Sequence, residues 1–267
     1  MKSIRSKDNP QVKALIKLAG SSRERRRTGT TLLEGERLVR AYHESGGVAE
    51  TILVSESAFA RPEIRTFLED SPAHGRLVLA DALLERVSQL VSAAGVAAVV
   101  RTPHAGPVPP ILSSCLLLEN IQDPGNLGSI MRTAVAAGIA HVLLSRGSVF
   151  AWSPKVIRAG MGAHFSLSIF EDVDLGKITR AFSGRIVAAE PKAGSSLYEL
   201  DLREPVAWLF GNEGSGLSPE SRRLATDHVH IPMPGPAESL NVAAAAAICL
   251  FEQIRQQGRA QAALSPR

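Results

Sequence analysis

Short apolar runs alternate with helix-forming segments twice along this chain, once on each side of a proline-rich stretch, and that rhythm dictates an α/β layering. A run of about five apolar residues bounded by turn formers reads as a strand buried on both faces, and an intervening helix is the crossover that lets two such strands lie parallel. In the first half, residues 51–54, 77–80 and 96–100 read as strands, and 11–19, 32–44 and 81–91 as helices, with Asp81 as a candidate N-cap. The stretch RTPHAGPVPP, residues 101–110, carries four prolines and a glycine and reads as an extended linker. Beyond it, residues 114–118, 141–145, 186–189 and 206–210 are strand-like, with a helix at 126–137. These patterns predict a smaller α/β domain over 1–105 and a mostly parallel sheet flanked by helices over 106–267. The residues from about 258 onward read as a frayed tail.

Composition narrows the function classes. No run approaches the roughly eighteen uncharged apolar residues of a membrane span, because the alanine-rich segment near the C-terminus soon meets Glu252 and Arg255. The basic N-terminus has no apolar core behind it, so no secretion signal is expected and a cytoplasmic location is. Cys115 and Cys249 sit in apolar runs without CxxC or Cys/His spacing, which predicts buried thiols and no metal site. The formal net charge is only +4. Its distribution says more, since residues 1–40 hold seven arginines and four lysines against Asp8, Glu24, Glu34 and Glu36. Such an arm is either a phosphate-neutralising surface or a solvated helical face.

Three loops carry the candidate chemistry. In ENIQDPGNLGSIMR, residues 119–132, Asp123 and Pro124 set a turn, Gly125 and Gly128 allow close backbone approach, and Asn126 can cap a helix that presents Arg132. That arrangement suits a phosphate, although an ordinary strand-to-helix turn has the same pattern. In FGNEGSGLSP, residues 210–219, three glycines fall within six residues, directly after a strand. Their spacing is GxxGxG, neither the dinucleotide fingerprint nor a P-loop, and Glu213 is either near a ligand or a carboxylate on a hairpin. In IPMPGPAESLNVAAAAA, residues 231–247, three prolines fix a rigid loop and Ser239 opens a helix of alanines. Backbone groups in such a loop hold a ligand at small entropic cost; a capped buried helix is the plainer reading.

Taken in order, DPGNLGSIMRTA, FGNEGSGLS and IPMPGPAESLNVAAAAAI resemble the three motifs of the SpoU/TrmH family of SPOUT-class RNA methyltransferases. The resemblance spans residues 111–257. Residues 1–105, with NPQVKALIKL and LLEGERLVRAY, are similar to the substrate-binding domain that precedes it in that family, of ribosomal-protein-L30 type (L30e-like). The resemblance implies transfer of a methyl group from S-adenosylmethionine to a ribose 2′-hydroxyl, a homodimer, and a C-terminal trefoil knot built from the second and third motifs. It places the cofactor against main chain near Gly211, Ile231 and Leu240, with Asn212 and Met233 as neighbours. Arg132, Asn126, Glu213, Ser239 and Asn241 match the polar residues around the methyl-transfer site. A guanidinium stays charged in proteins, so Arg132 is expected to clamp a phosphate, with Glu213 or water taking the proton.

RNA contacts are expected at Lys155 and Arg158, within SPKVIRAGMGAHF, and at Arg23, Arg25, Arg26 and Arg27. Aromatic residues make up 4% of the chain, which favours recognition of RNA shape and phosphate over stacking on single strands. Because an added N-terminal domain of this kind often accompanies ribosomal substrates in that family, the resemblance implies 23S rRNA, with tRNA as the alternative. A non-catalytic RNA-binding or ribosome-assembly protein would have lost the motif polar residues, which all stand here. A nicotinamide-dependent oxidoreductase would need the other glycine order.

Overall fold

The computed structural model describes residues 1–88, 95–103 and 106–264, with side chains through residue 258. In its first part the order is β1 (Lys2–Ile4), α1 (Pro10–Gly20), α2 (Ser22–Thr28), β2 (Thr30–Glu34), α3 (Glu36–Glu44), β3 (Thr51–Ser55), α4 (Glu56–Phe59), α5 (Pro62–Asp70), β4 (Arg76–Leu79), α6 (Asp81–Val87) and β5 (Val96–Arg101). Then come β6 (Cys115–Leu118), α7 (Pro124–Ala136), β7 (His141–Ser145), α8 (Pro154–Gly160), β8 (Ser168–Val173), α9 (Leu175–Ala181), β9 (Arg185–Ala189) and β10 (Ser195–Ser196). The chain finishes with β11 (Val206–Phe210), α10 (Pro219–Arg222), β12 (Asp227–His230) and α11 (Val242–Leu264). It divides into two compact units, one of Met1–His104 with Trp152–Phe165, the other of Ala105–Ala151 with Ser166–Arg267.

The first unit holds a five-stranded sheet in the order β1-β4-β3-β5-β2, parallel through β1, β4 and β3 and antiparallel at β5 and β2. Helix α1 begins at Pro10, where a missing N–H costs nothing, and Asn9 caps it by accepting from the Gln11 amide at 2.9 Å. Its apolar stripe of Val12, Leu15 and Ala19 packs on Leu32, Leu53 and Leu79 of the sheet.

Two sequence expectations change here. Residues 32–44 are not one helix: Thr30–Glu34 pairs with β5, and Gly35, at φ 97°, turns the chain into α3. The run LLEGERLV satisfies a helical period, but only glycine readily adopts that φ. Asp81 does not cap α6; Ala80 holds the N-cap position, and the Asp81 carboxylate accepts instead from the Ser57 hydroxyl. Residues 89–91 of the expected helix lie outside the described residues.

The segment Trp152–Phe165, expected with the second domain, groups with the first unit. Thr31 Oγ1 donates to the Trp152 carbonyl at 2.6 Å, Phe165 meets Tyr42 edge-on, and Arg158 of α8 pairs with the buried carboxylate of Glu34.

The second unit carries a seven-stranded, wholly parallel sheet in the order β10-β12-β9-β11-β6-β7-β8. Strands β6 and β11, CLLL and VAWLF, are buried at every residue, as a strand covered on both faces must be. Helix α11 is anchored by Gln253, whose Oε1 accepts from the indole of Trp208 at 2.8 Å while its Nε2 donates to Ser114 Oγ at 2.8 Å. The helix packs on α7 and is assigned to Leu264, beyond residue 258 where a tail was expected. No helix among the described residues is long and apolar enough to cross a membrane.

Candidate active site

In a parallel sheet every strand ends at the same edge, and β12, β9, β11 and β6 stand side by side. The loops leaving them therefore meet, and those after β12, β9 and β11 line a cavity of about 810 Å³, well within the range of small-molecule sites. Glu190 follows β9 into it, Gly211–Leu217 follows β11, and Ile231 and Met233 follow β12. Ser239, Leu240 and Asn241 close the wall ahead of α11. All five residues expected to hold the cofactor, Gly211, Asn212, Ile231, Met233 and Leu240, line this one cavity.

The glycine turn is held by its own backbone. Asn212 and Gly216 exchange N–H to carbonyl hydrogen bonds at 3.0 and 2.9 Å, and Asn212 Oδ1 accepts from the Gly214 and Ser215 amides at 3.0 Å each. A Cβ on Gly211 would sit 2.3 Å from the Gly216 carbonyl carbon and 2.4 Å from the Leu217 nitrogen, so only glycine lets the turn fold back. Asn212 Nδ2 also donates to the Asn120 carbonyl at 2.9 Å, tying the turn to the loop after β6.

A polar chain joins all three loops. Glu213 Oε1 accepts from the Asp123 amide at 3.0 Å and from Asn126 Nδ2 at 3.1 Å, and Oε2 accepts from the Gln122 amide at 3.2 Å. Asn126 Oδ1 in turn accepts from Asn241 Nδ2 at 2.8 Å. Partial burial pushes the Glu213 carboxyl up, but hydrogen bonds from Asn126 and from the backbone amides outweigh it and leave the group below the usual carboxylate range. Glu119, which the sequence reading passed over, braces the same region: its carboxylate accepts from the Ser218 amide at 2.8 Å and from the hydroxyls of Ser218 and Ser221 at 2.7 and 2.6 Å.

Two caps differ from expectation. Asp123, not Asn126, caps α7, its Oδ1 accepting from the Asn126 amide at 2.8 Å. Ser239 does not open α11; Asn241 does, its Oδ1 accepting from the Ala243 amide at 2.8 Å. The Asn126 side chain, spared from capping, bridges to Glu213 and to the Nδ2 of Asn241, which caps with its oxygen alone.

Residues 113–251 match the SpoU rRNA methylase family, and residues 9–98 match an MRM3-like substrate-binding domain. The chain belongs to the SpoU rRNA methylase family. It is 31% identical to the 23S rRNA (guanosine(2553)-2′-O)-methyltransferase RlmP of Bacillus subtilis, across 94% of this chain and 98% of RlmP. A crystal structure of an RNA 2′-O ribose methyltransferase aligns with a TM-score of 0.82 at 33% identity, over 96% of this chain and 99% of that one. The SpoU methyltransferase AviRb of Streptomyces viridochromogenes, crystallised with S-adenosylmethionine, aligns with a TM-score of 0.84 at 28% identity, over 93% of this chain and 98% of its own. This SpoU methylase is accordingly an S-adenosylmethionine-dependent RNA 2′-O-methyltransferase.

The remaining expected residues of this SpoU methylase divide by environment. Arg132 is exposed on α7, makes no hydrogen bond or ion pair among the described residues, and does not line the cavity. Arg23 and Lys155 are exposed and without a partner among the described residues, while Arg26 is exposed and has one. Arg27 is exposed too, but it is engaged with Glu24, whose carboxyl Arg27 and Lys17 hold down at about 2.

Two of the basic residues expected to meet RNA are engaged within the first unit. Arg25 is buried, and its Nη1 donates to the Leu18 and Ala19 carbonyls at 2.8 and 2.7 Å, so it finishes α1 and cannot reach a phosphate. Arg158 is paired with Glu34, whose side chain is 2% exposed and also accepts from the Ser88 hydroxyl at 2.7 Å, so part of the Arg158 guanidinium is held inside the first unit.

Proposed function

We propose that this SpoU methylase modifies a ribose 2′-hydroxyl of 23S rRNA as a homodimer in which Arg132 of each copy completes the cavity of the other. One observation carries the reading. The bridge from Glu213 through Asn126 to Asn241 ties the two loops that line the cavity to the loop and helix after β6, whose Arg132, expected to meet RNA, stands outside the cavity, exposed and without a partner among the described residues. Val135, one turn beyond Arg132 on α7, and Phe251 on α11 are exposed apolar residues on the two helices that pack together, which suits a self-complementary face.

The cavity fits the cofactor by the character of its walls. Gly211 and Gly216 bring bare backbone to the surface, and the proline-fixed loop from Ile231 supplies amides and carbonyls without ordering cost. S-adenosylmethionine bound there supplies an electrophilic methyl group. Arg132 then grips the phosphate beside the target nucleotide and lowers the cost of charge developing on the attacking oxygen. Glu213 is a poor base, because its oxygens are already engaged and its proton affinity is lowered. The hydroxyl proton is therefore assigned to water, and Glu213 to loop positioning.

The first unit is assigned to RNA binding through Arg23, Arg26 and Lys155, and the second unit to methyl transfer. Strand β12 lies outside β9 while α11 returns to α7, an order that supports a knotted C-terminal segment. The reaction is assigned to the cytoplasm, which the likeness to the bacterial RlmP supports. The 23S substrate in the name of RlmP, matched over nearly its whole length, supports that target.

Mapping 2′-O-methyl sites in total RNA from cells with and without the gene tests the substrate; a missing 23S position is expected, and a missing tRNA position alone would refute it. The shared site is tested by mixing Arg132→Ala with Gly211→Val, each inactive alone. Random pairing at equal amounts gives mixed dimers with one complete site, restoring about a quarter of full activity. No recovery would place the arginine in its own chain's site.

A further inference from the structure

Three carboxylates line the cavity, and they differ in what they have left to offer. Glu213 is spent on the bridge between loops. Glu238 lies exposed in the proline-rich loop. Glu190 stands just past β9 at the C-terminal edge of the sheet, with its side chain 13% exposed. Its Oε1 accepts from Arg222 Nε at 2.5 Å, and its Oε2 lies 2.9 Å from His228 Nδ1. Each carboxylate oxygen can accept in two directions, and each uses one in these contacts. A carboxylate so desolvated is costly unless compensated. Arg222, itself on the cavity wall, balances the charge, and His228 fixes the orientation.

The remaining acceptor positions suit a pair of neighbouring hydroxyl donors, and an acid beyond a parallel strand is a recurrent way to hold a ribose diol. S-adenosylmethionine carries one such diol, on its ribose. It also carries an ammonium, but the guanidinium of Arg222 against Glu190 repels a second cation and leaves neutral hydroxyls as the matching donors.

We infer that Glu190 accepts hydrogen bonds from the ribose hydroxyls of the methyl donor and makes the cavity selective for a ribonucleoside. Arg222 and His228 are positioning residues for it. This rests on the cavity being the cofactor site.

Calorimetry separates the possibilities with three ligands: S-adenosylhomocysteine, 5′-methylthioadenosine, which keeps the diol but lacks the ammonium, and 2′,3′-dideoxy-5′-methylthioadenosine. The wild-type chain is expected to bind the ribo form about tenfold or more tighter than the dideoxy form. Glu190→Ala should bring that ratio to about one, with Glu190→Gln in between, and should weaken S-adenosylhomocysteine and 5′-methylthioadenosine by the same factor. The ratio is read within each variant, so it does not depend on how much of that variant folds. An unchanged ratio in Glu190→Ala, or a loss confined to S-adenosylhomocysteine, would overturn the inference while leaving the cavity assignment standing. No binding of any ligand to the wild-type chain would overturn both.

Discussion

Asn126→Ala removes the middle of the bridge between the three loops, and its cost follows from the two hydrogen bonds lost. One is donated to a carboxylate, at 3.1 Å, and the other accepts from Asn241, at 2.8 Å. A buried pair of this kind would contribute about 2–4 kcal/mol. Asn126 is half-buried and both its partners are exposed, so water replaces part of each bond and the expected destabilisation is about 1–2 kcal/mol.

If that free energy goes into letting the loops separate, cofactor affinity falls about five- to thirtyfold, which calorimetry with S-adenosylhomocysteine reads directly. A pH series adds a second readout. Because the Glu213 value is depressed in the folded chain, its ionised form adds stability at neutral pH, and that contribution disappears as the pH falls through the depressed value. Without the Asn126 amide the carboxyl titrates higher, so Asn126→Ala should lose affinity at a higher pH than the wild-type chain on acidification. Asn126→Asp keeps the shape but sets a carboxylate against Glu213, so it should bind worse than alanine does. An aspartate variant that binds as well as wild type would refute the reasoning, because shape would then matter and the hydrogen bonds would not.

Gly211→Ala forces a Cβ into the Gly216–Leu217 backbone and should weaken cofactor binding by about tenfold or more; wild-type affinity by calorimetry would contradict the tight turn. Arg25→Met should cost about 2–4 kcal/mol in a denaturant melt while leaving RNA affinity unchanged, because it strips two buried carbonyls of their donor. Arg23→Ala should do the reverse, shifting stability by less than about 0.5 kcal/mol and reducing the salt dependence of RNA binding. Burial pushes the thiols of Cys115 and Cys249 up to about 12, so iodoacetamide at about pH 8 should leave both unmodified in the native protein and label both in guanidinium. Rapid native labelling would show that one of them is accessible.

The parallel sheet was legible because β6, β9 and β11 are interior strands whose residues are nearly all apolar. Strand β12, DHVH, was not, since only Val229 in it is buried, and β8 was hidden by Glu171 and Asp172. The loops around Gly211 and Ile231 were legible because glycine and proline fix their shape by backbone alone, but Gly211, Asn212, Ile231, Met233 and Leu240 could be named together only through the resemblance to the SpoU/TrmH motifs. Side-chain partners were harder to read. Arg25 and Arg158 look like their exposed neighbours in sequence, and only the carbonyls and the carboxylate around them reveal that they are structural. Glu119 and Glu190 carried a usable signal, an acid immediately after a buried strand, which places a charge at the sheet edge where ligands bind. Segment 152–165 gave none, because its tie to β2 runs through Glu34 and Thr31, more than a hundred residues away.

A crystal structure with S-adenosylhomocysteine tests the central claim most directly. The ligand is predicted to lie between the Gly211–Gly216 turn and the Ile231–Leu240 loop, with Arg132 of a second copy reaching toward its sulfur. Density for the ligand elsewhere, or an Arg132 that points away from every bound sulfur, would contradict it.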